Sequence, residues 1–404
     1  MKILHLTDLH LTDGRDLDLQ TEVILRVIEE FEGESTDHDR MIIVTGDIYG
    51  VSVPHRSTPK ERASAFQIVE TAATLGPVVV IYGNHDYPGD LDTFEYISGD
   101  ISVISSADVS ELCFDSINIK LFSLPWPTKA NIIGAQRGMG SSESRDLAES
   151  KLNELVDSWR YIIDHKKSLG FATVFAAHIT VAGSLLDNGT VIRTGDMTVS
   201  SEILNRMNPD AGLLGHAHTW QAPVKLRENI VYGGSPFPIT FGEAGDRFYN
   251  VFELTRSGGE TVTQVTKRKI RSPLKLTLDW RWGYLDDGAI GWISRPSDDD
   301  IAACTGNIVK TRLSSPKNLK SSVPWSDELS RFSGVLYITE KHDVETSQRV
   351  RAPEIAESNN LEDKIEAYFK TKDIAKDSSG VISALNEIET MTLDDIDEKT
   401  LGMV

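Results

Sequence analysis

The sequence predicts an α/β protein built on a largely parallel sheet, and three observations predict it. Short β-rich runs recur, each ending in polar residues: Lys2 to Thr7 before Asp8, Met41 to Thr45 before Gly46 and Asp47, Val78 to Tyr82 before Gly83, Ala172 to Ala177 before His178, and Ala211 to Leu214 before Gly215. Segments with the 3.6-residue spacing of amphipathic helices separate the first three runs. Strand, helix, strand, helix, strand is the βαβ signature of a parallel sheet. Such sheets form their clefts at the carboxyl ends of the strands, where these polar residues sit.

Taken in order, the first helix covers Thr21 to Phe31, with Val23, Ile24, Val27, Ile28 and Phe31 on one face. The second covers Ala63 to Leu75, with Ala65, Ile68, Val69 and Ala72. The glycine- and serine-rich interval Gly134 to Ser150 reads as a mobile surface loop before a helix from Leu152 to His165. After Gly233, Gly234 and Ser235 the character changes. Lys267, Arg268, Lys269, Arg271 and Lys275 form a basic run, read either as a wall contacting DNA phosphates or as a solvated strand or linker. Trp280, Trp282 and Trp292 follow, with strand-like runs at Ile308 to Leu313 and Gly334 to Thr339. Together they predict a small α+β domain whose tryptophans build its core, the alternative being stacking on bases. The acidic tail from about Arg351 reads as two helical pieces, one with Leu361, Ile365, Tyr368 and Phe369 on a face, the other with Val381, Ile382, Leu385 and Ile388.

At 404 residues, two or three domains are expected. A net charge of -20 argues against a protein that coats nucleic acid by bulk electrostatics. It leaves room for a DNA enzyme whose metal ions, local basic patch or partner supply the positive surface. Cys113 and Cys304 form no motif, which points to a reducing, cytoplasmic compartment. His5, Asp8 and His10 break the N-terminal apolar stretch as a signal-peptide core, and no apolar run approaches the roughly 20 residues of a membrane span.

The chemistry lies in the strand-end residues Asp8, His10, Asp47, Asn84, His178, His216 and His218. Residues two apart on a strand face one side, so Asp8 with His10, and His216 with His218, can each address one ion if the strands continue that far. Carboxylate, imidazole and amide oxygen without thiolate suit Mn²⁺, Fe²⁺, Zn²⁺ or Mg²⁺. The set exceeds what one ion needs and fits two ions about 3.5 to 4 Å apart, the arrangement for in-line displacement at phosphorus. His5, inside the first strand, reads as a core histidine.

The ordered blocks DLH, GDIYG, GNHD, His178 and GHAH resemble the calcineurin-like metallophosphoesterase superfamily over residues 1 to about 255. Three further stretches, MKILHLTDLHL, GDIYGVSVP and GGSPFPITFGEAGD, resemble its SbcD-type DNA double-strand-break repair nuclease subunits, phage members included. That resemblance implies a β-sandwich flanked by helices (1–265), a small α+β capping domain (266–350) and a C-terminal helical segment (351–404). It implies Mn²⁺-dependent DNA exo- and endonuclease activity in repair, recombination or replication, with Mg²⁺ as the alternative ion. Asp8, His10, Asp47 and His218 would hold one metal and Asp47, Asn84, His178 and His216 the other, with Asp47 bridging. His85 would be the non-ligand imidazole that protonates the leaving oxygen, and Asp86 would orient it.

The implied partners are DNA and a long coiled-coil SbcC-like ATPase gripped by the tail, in a homodimer within a heterotetramer, in the cytoplasm (the host's for a viral protein) and away from membranes. Many repair relatives carry a histidine where this chain has Gly50, with His55 nearby. Two other readings compete. A stand-alone metallophosphatase or phosphodiesterase keeps the fold but fits GDIYG and GNHD less well, and an inactive scaffold is weakened because every ligand position is filled.

Overall fold

A computed structural model describes residues 1–33, 39–50, 56–134, 140–185, 196–223, 225–243 and 245–345, together with positions 364, 365, 381 and 383. His55 and the two predicted tail faces, apart from Ile365 and Val381, lie outside the described residues.

The first half alternates as its periodicity predicts: β1 (Lys2–Leu6), α1 (Leu17–Glu32), β2 (Arg40–Val44), α2 (Pro59–Ala73) and β3 (Val78–Ile81). The predicted apolar faces of α1 and α2 are buried. α2 begins where it does because the Thr58 hydroxyl accepts the N–H of Glu61 while the Glu61 carboxylate accepts the N–H of Thr58, with Pro59 preset for the first turn. The chain continues through β4 (Ile101–Ile104), β5 (Asp108–Cys113), β6 (Asn118–Leu124), α3 (Lys129–Ile133), α4 (Ser141–Ser168), β7 (Ala172–His178), β8 (Thr180–Val181), β9 (Thr198–Val199), α5 (Ser201–Met207), β10 (Ala211–Gly215) and β11 (Ile230–Tyr232). A long hairpin follows, β12 (Arg247–Ser257) and β13 (Glu260–Ile270).

Six strands form one sheet in the order β13-β12-β1-β2-β3-β4, parallel from β1 to β4 and closed by the antiparallel hairpin. Five form a second sheet, β11-β10-β7-β6-β5, parallel except at β5. Strands buried on both faces read as unbroken apolar runs, which is why β2, β3 and β7 stand out in the sequence. Ile3, Met41, Ile43 and Val79 of the first sheet and Leu121, Val174, Ala176 and Leu213 of the second share one apolar cluster. α1 and α2 pack on the other face of the first sheet, against Leu4, Ile42 and Val80. α4 and α5 pack on the second, against Phe122, Phe175 and Leu214. The result is a β-sandwich flanked by helices, the predicted fold class.

One element departs from its prediction. The interval Gly134 to Ser150, read as a loop, is helical from Ser141 onward, and α4 runs 28 residues. Tertiary contacts hold this polar first half. Glu149 accepts the N–H and hydroxyl of Thr198 at 3.2 and 2.8 Å, Asn153 bonds both Thr198 and Ser200, and Arg145 donates to the Asp196 carbonyl. Packing thus overrides a composition that favours loop.

The chain divides into two compact units, Met1–Asp279 with Pro296–Arg312 and Trp325–Lys341, and Trp280–Arg295 with Leu313–Pro324 and His342–Val404. In the second, Trp282 and Trp292 pack edge to face with centroids 4.9 Å apart, and the Trp282 indole donates to the Ser322 hydroxyl at 3.1 Å. Trp280 and Trp282 are buried, so these tryptophans are core. In the first unit much of the basic run is already engaged. The Lys267 ammonium lies 3.7 Å over both the Trp220 and Phe248 rings, Lys269 pairs with Asp246 and Lys275 with Asp16. Among the described residues no helix is long and apolar enough to cross a membrane.

Candidate metal centre

The expected ligands converge at the carboxyl ends of β1, β2, β3, β7 and β10. The strand alternation invoked for Asp8 with His10 does not act, because β1 stops at Leu6. Instead Asp8, His10, Asp47 and His216 each take a positive φ, from 45° to 101°, so turns rather than pleats aim them inward. Such backbone costs of order 1 kcal/mol or more per residue and persists where surrounding contacts enforce it. Those contacts are visible. The Asp8 carboxylate accepts the Thr7 hydroxyl at 2.8 Å and the N–H of His216 at 3.1 Å. Asp47 Oδ1 accepts the N–H of His85 at 2.8 Å.

Asp86 ties two of the strand-end turns together. Its two oxygens accept four backbone N–H groups, from Asp47, Ile48, Tyr49 and Gly83, at 2.9 to 3.2 Å. These bonds tie Asp86 to the Asp47 turn, a contact that the sequence does not predict. Burial and the Asp47 carboxylate push its pKa up to about 7, against the N–H donors that favour its charge.

Close backbone approach explains two glycines. A Cβ at Gly83 would lie 2.1 Å from Asp47 Oδ1, and one at Gly215 would lie 2.2 Å from the Thr45 carbonyl. Gly50 is equally constrained, since a Cβ there would meet Thr12 Oγ1 at 2.0 Å and the His10 carbonyl at 2.9 Å. A histidine at this position has no room with Thr12 as placed.

Three sets of ligand atoms each lie within 4.8 Å of one another: Asp8, His10 and His218; His10, Asp47 and His85; Asp8, Asp47 and His178. Asn84 Oδ1 sits 2.9 Å from His178 Nε2 and 3.0 Å from His216 Nδ1. His178 donates Nδ1–H to the Thr45 carbonyl at 2.7 Å, which leaves Nε2 facing Asp47 at 3.4 Å. His10 Nε2 is buried with no hydrogen-bond partner among the described residues, 3.5 Å from Asp47. An orphaned imidazole nitrogen beside two buried carboxylates is the environment a divalent cation completes.

The charges agree. Burial opposes ionisation of Asp8, yet His10, His178 and His218 outweigh it and hold Asp8 down at about 2. Burial likewise opposes a charge on His178, and Asp47 and Asp8 overcome it to push His178 up to about 9. Two carboxylates that stay ionised in a buried site demand positive charge; without metal, an imidazolium provides it. His5 is a core residue, fully buried, bonded to the Thr45 hydroxyl at 2.9 Å, with burial pushing its pKa down to about 3.

The family model for calcineurin-like phosphoesterases matches residues 1–220. The chain belongs to the calcineurin-like phosphoesterase family. The family is one of metal-dependent phosphoesterases, and the three groups of ligand atoms above are candidates for its divalent ions. Among solved structures it is similar to a protein assigned as a 5'-nucleotidase from Staphylococcus aureus, solved with alpha-ketoglutarate, at 14% identity and a TM-score of 0.40, covering 67% of this chain and 54% of that one. It is also similar to the sulfate thiohydrolase SoxB of Thermus thermophilus, solved with glycerol, at 10% identity and a TM-score of 0.37, covering 67% and 56%. The match thus spans little more than half of either relative. No curated protein matches the chain.

Two residues of the phosphoesterase site escaped the sequence reading. Trp126 follows β6, with its ring centroid 4.6 Å from that of His216 and 5.8 Å from that of His178. The signal was present, since β6 is another apolar run that ends in a polar-and-aromatic break, Pro-Trp-Pro. Glu243 lies 3.5 Å from His218 Nδ1 and 3.1 Å from Arg247. Burial opposes its charge, but His218, the Ile239 N–H and Arg247 hold its pKa below the usual carboxylate range. It lies in the GGSPFPITFGEAGD block, which had been read for resemblance alone.

Proposed function

We propose that this phosphoesterase is the nuclease subunit of an SbcCD-like complex, a Mn²⁺-dependent DNA exo- and endonuclease. The observation that carries the reading is Glu243: the block that resembles SbcD-type nucleases supplies a buried carboxylate to the candidate ligand His218. Two bound divalent ions would supply Lewis acidity at phosphorus and an acidified water. Asp8, His10, Asp47 and His218 would hold one and Asp47, Asn84, His178 and His216 the other. Glu243 orients His218, and the Thr45 carbonyl orients His178. His85 would protonate the leaving oxygen, and burial lowers its pKa, so that its imidazolium gives up the proton more readily.

The test is degradation of linear and circular DNA with Mn²⁺ or Mg²⁺, with and without the coiled-coil ATPase. Mn²⁺-dependent loss of linear DNA is expected. Turnover of nucleoside monophosphates with intact DNA would instead identify a stand-alone phosphatase. The tail is proposed to hold the ATPase, an apolar helix face in a groove. Truncation after residue 350 should therefore abolish ATPase pull-down, and unchanged pull-down would reject that role.

A further inference from the structure

Beside the metal cluster lies a cavity of about 480 Å³ whose walls include Tyr82, Asn84, Pro88, Pro125, Trp126 and Asn131. We infer that it binds one unpaired nucleobase, stacked on Trp126, of the nucleotide whose phosphate sits at the metal cluster. The inference rests on the nuclease reading above and names the substrate form that site takes.

Position comes first. Asn84 is shared between the cavity and the cluster, and Trp126 lines the cavity with its ring 4.6 Å from that of His216. A group attached to a phosphate at the cluster therefore reaches the cavity within one nucleotide. A second cavity of about 430 Å³ shares Ser105, Pro125, Trp126 and Asn131 and continues outward along α4 to Lys151, so the adjoining chain has a path away from the cluster.

Rigidity comes next. The Trp126 N–H donates to the Tyr82 carbonyl at 2.9 Å. The Tyr82 hydroxyl donates to Asp92 at 2.7 Å and accepts the N–H groups of Gly89 and Leu91, both at 3.1 Å. The Tyr82 ring and the Trp126 backbone are thus held before a ligand arrives, which lowers the ordering cost of binding.

Charge selects the chemical class. Among the described residues no Lys or Arg lines the 480 Å³ cavity, whereas Asp86 and Asp92 do. A second phosphate would be repelled there, while a flat uncharged heterocycle meets an indole face, proline faces and edge groups from Ser105, Thr128 and Asn131. The volume falls in the range of pockets that enclose one small ligand, about 300 to 1,000 Å³, which is room for a nucleobase. Base stacking on an aromatic ring tolerates any sequence, as a nuclease requires.

The experiment compares wild-type protein, Trp126→Ala and Trp126→Phe on single-stranded oligonucleotides that end either in a normal nucleotide or in an abasic one, with Mn²⁺. Trp126→Ala is expected to raise KM for the normal end about tenfold or more while kcat changes little, and Trp126→Phe to restore most of the loss. Wild type should handle the abasic end like Trp126→Ala, and that variant should lose nothing further on it. Equal KM for the two ends in wild type, or an unchanged KM in Trp126→Ala, overturns the inference. Calorimetric binding of thymidine monophosphate against deoxyribose phosphate separates the two readings. If no DNA is cut but wild type prefers the nucleotide about tenfold and Trp126→Ala does not, the nuclease reading falls and the base pocket stands. If neither protein discriminates, the pocket falls regardless of what is hydrolysed.

Discussion

His85 is the residue whose role separates chemistry from metal binding. One of its ligand-capable atoms lies within 4.8 Å of those of His10 and Asp47, and its ring is 4.9 Å from His10, centroid to centroid. Proximity alone would make it a ligand, whereas the proposed function makes it the group that assists the leaving oxygen. His85→Asn distinguishes the two. Retention of two Mn²⁺ by metal analysis, with kcat reduced about 10²- to 10⁴-fold, is expected of a general acid. Loss of an ion in the same measurement would make His85 a ligand. Glu243 gives the complementary case, a residue that acts through His218. Glu243→Gln should weaken Mn²⁺ binding about 10- to 100-fold in a calorimetric titration, the usual cost of losing the partner that orients a ligating imidazole; affinity equal to wild type would leave Glu243 as a partner of Arg247 alone. Glu243 was not found from sequence because nothing in the spacing of the Thr240–Glu243 turn says that it folds back 25 residues to His218. The contact is made by the chain reversal that precedes β12.

At the scale of elements, the strand-end loops behave as one assembly tied by Asp86. Its carboxylate joins the turn after β2 to the turn after β3 through four backbone N–H groups. Asp86→Ala leaves those buried donors without their acceptor and should cost about 3 kcal/mol or more of unfolding free energy in urea denaturation of the metal-free protein. A loss under about 1 kcal/mol would mean that water or Asp47 takes over the bonds. The strands that carry these loops were legible because each is a short apolar run stopped by glycine or a polar residue. β12 and β13 were not: Arg247 and Asn250 interrupt the apolar run of β12 although both its faces are buried as far as Leu254, and β13 alternates with threonine, lysine and arginine. The first half of α4 was missed for a related reason: its serines and glutamates favour a loop locally and become helix through Glu149, Asn153 and Arg145, whose partners lie 40 or more residues away. The ligands themselves were legible, but the positive φ values that aim them were not, because Asp and His do not announce a left-handed turn as glycine does.

For the molecule as a whole, the candidate ligand cluster should couple folding to both pH and metal. In the metal-free protein His178 is pushed up to about 9, burial opposing the charge and the Asp47 and Asp8 carboxylates overcoming it. An unfolded histidine titrates near 6.5, so the folded state holds the extra proton, and this stabilisation is complete below pH 6.5 and lost as pH rises through about 9. Asp8, held down at about 2, contributes above its unfolded value and does not change over that interval. Metal binding reverses the dependence, because a ligating imidazole must give up its proton and the ion then supplies the positive charge that the carboxylates require. The metal-free protein should therefore lose thermal stability between about pH 6.5 and pH 9, the Mn²⁺-loaded protein should not, and the Tm difference between them should widen with pH. Differential scanning calorimetry of EDTA-treated and reconstituted protein across that interval measures it. A Tm difference that stays constant would mean that His178 carries no proton in the metal-free fold, and that the buried carboxylates find their compensating charge at another imidazole of the cluster.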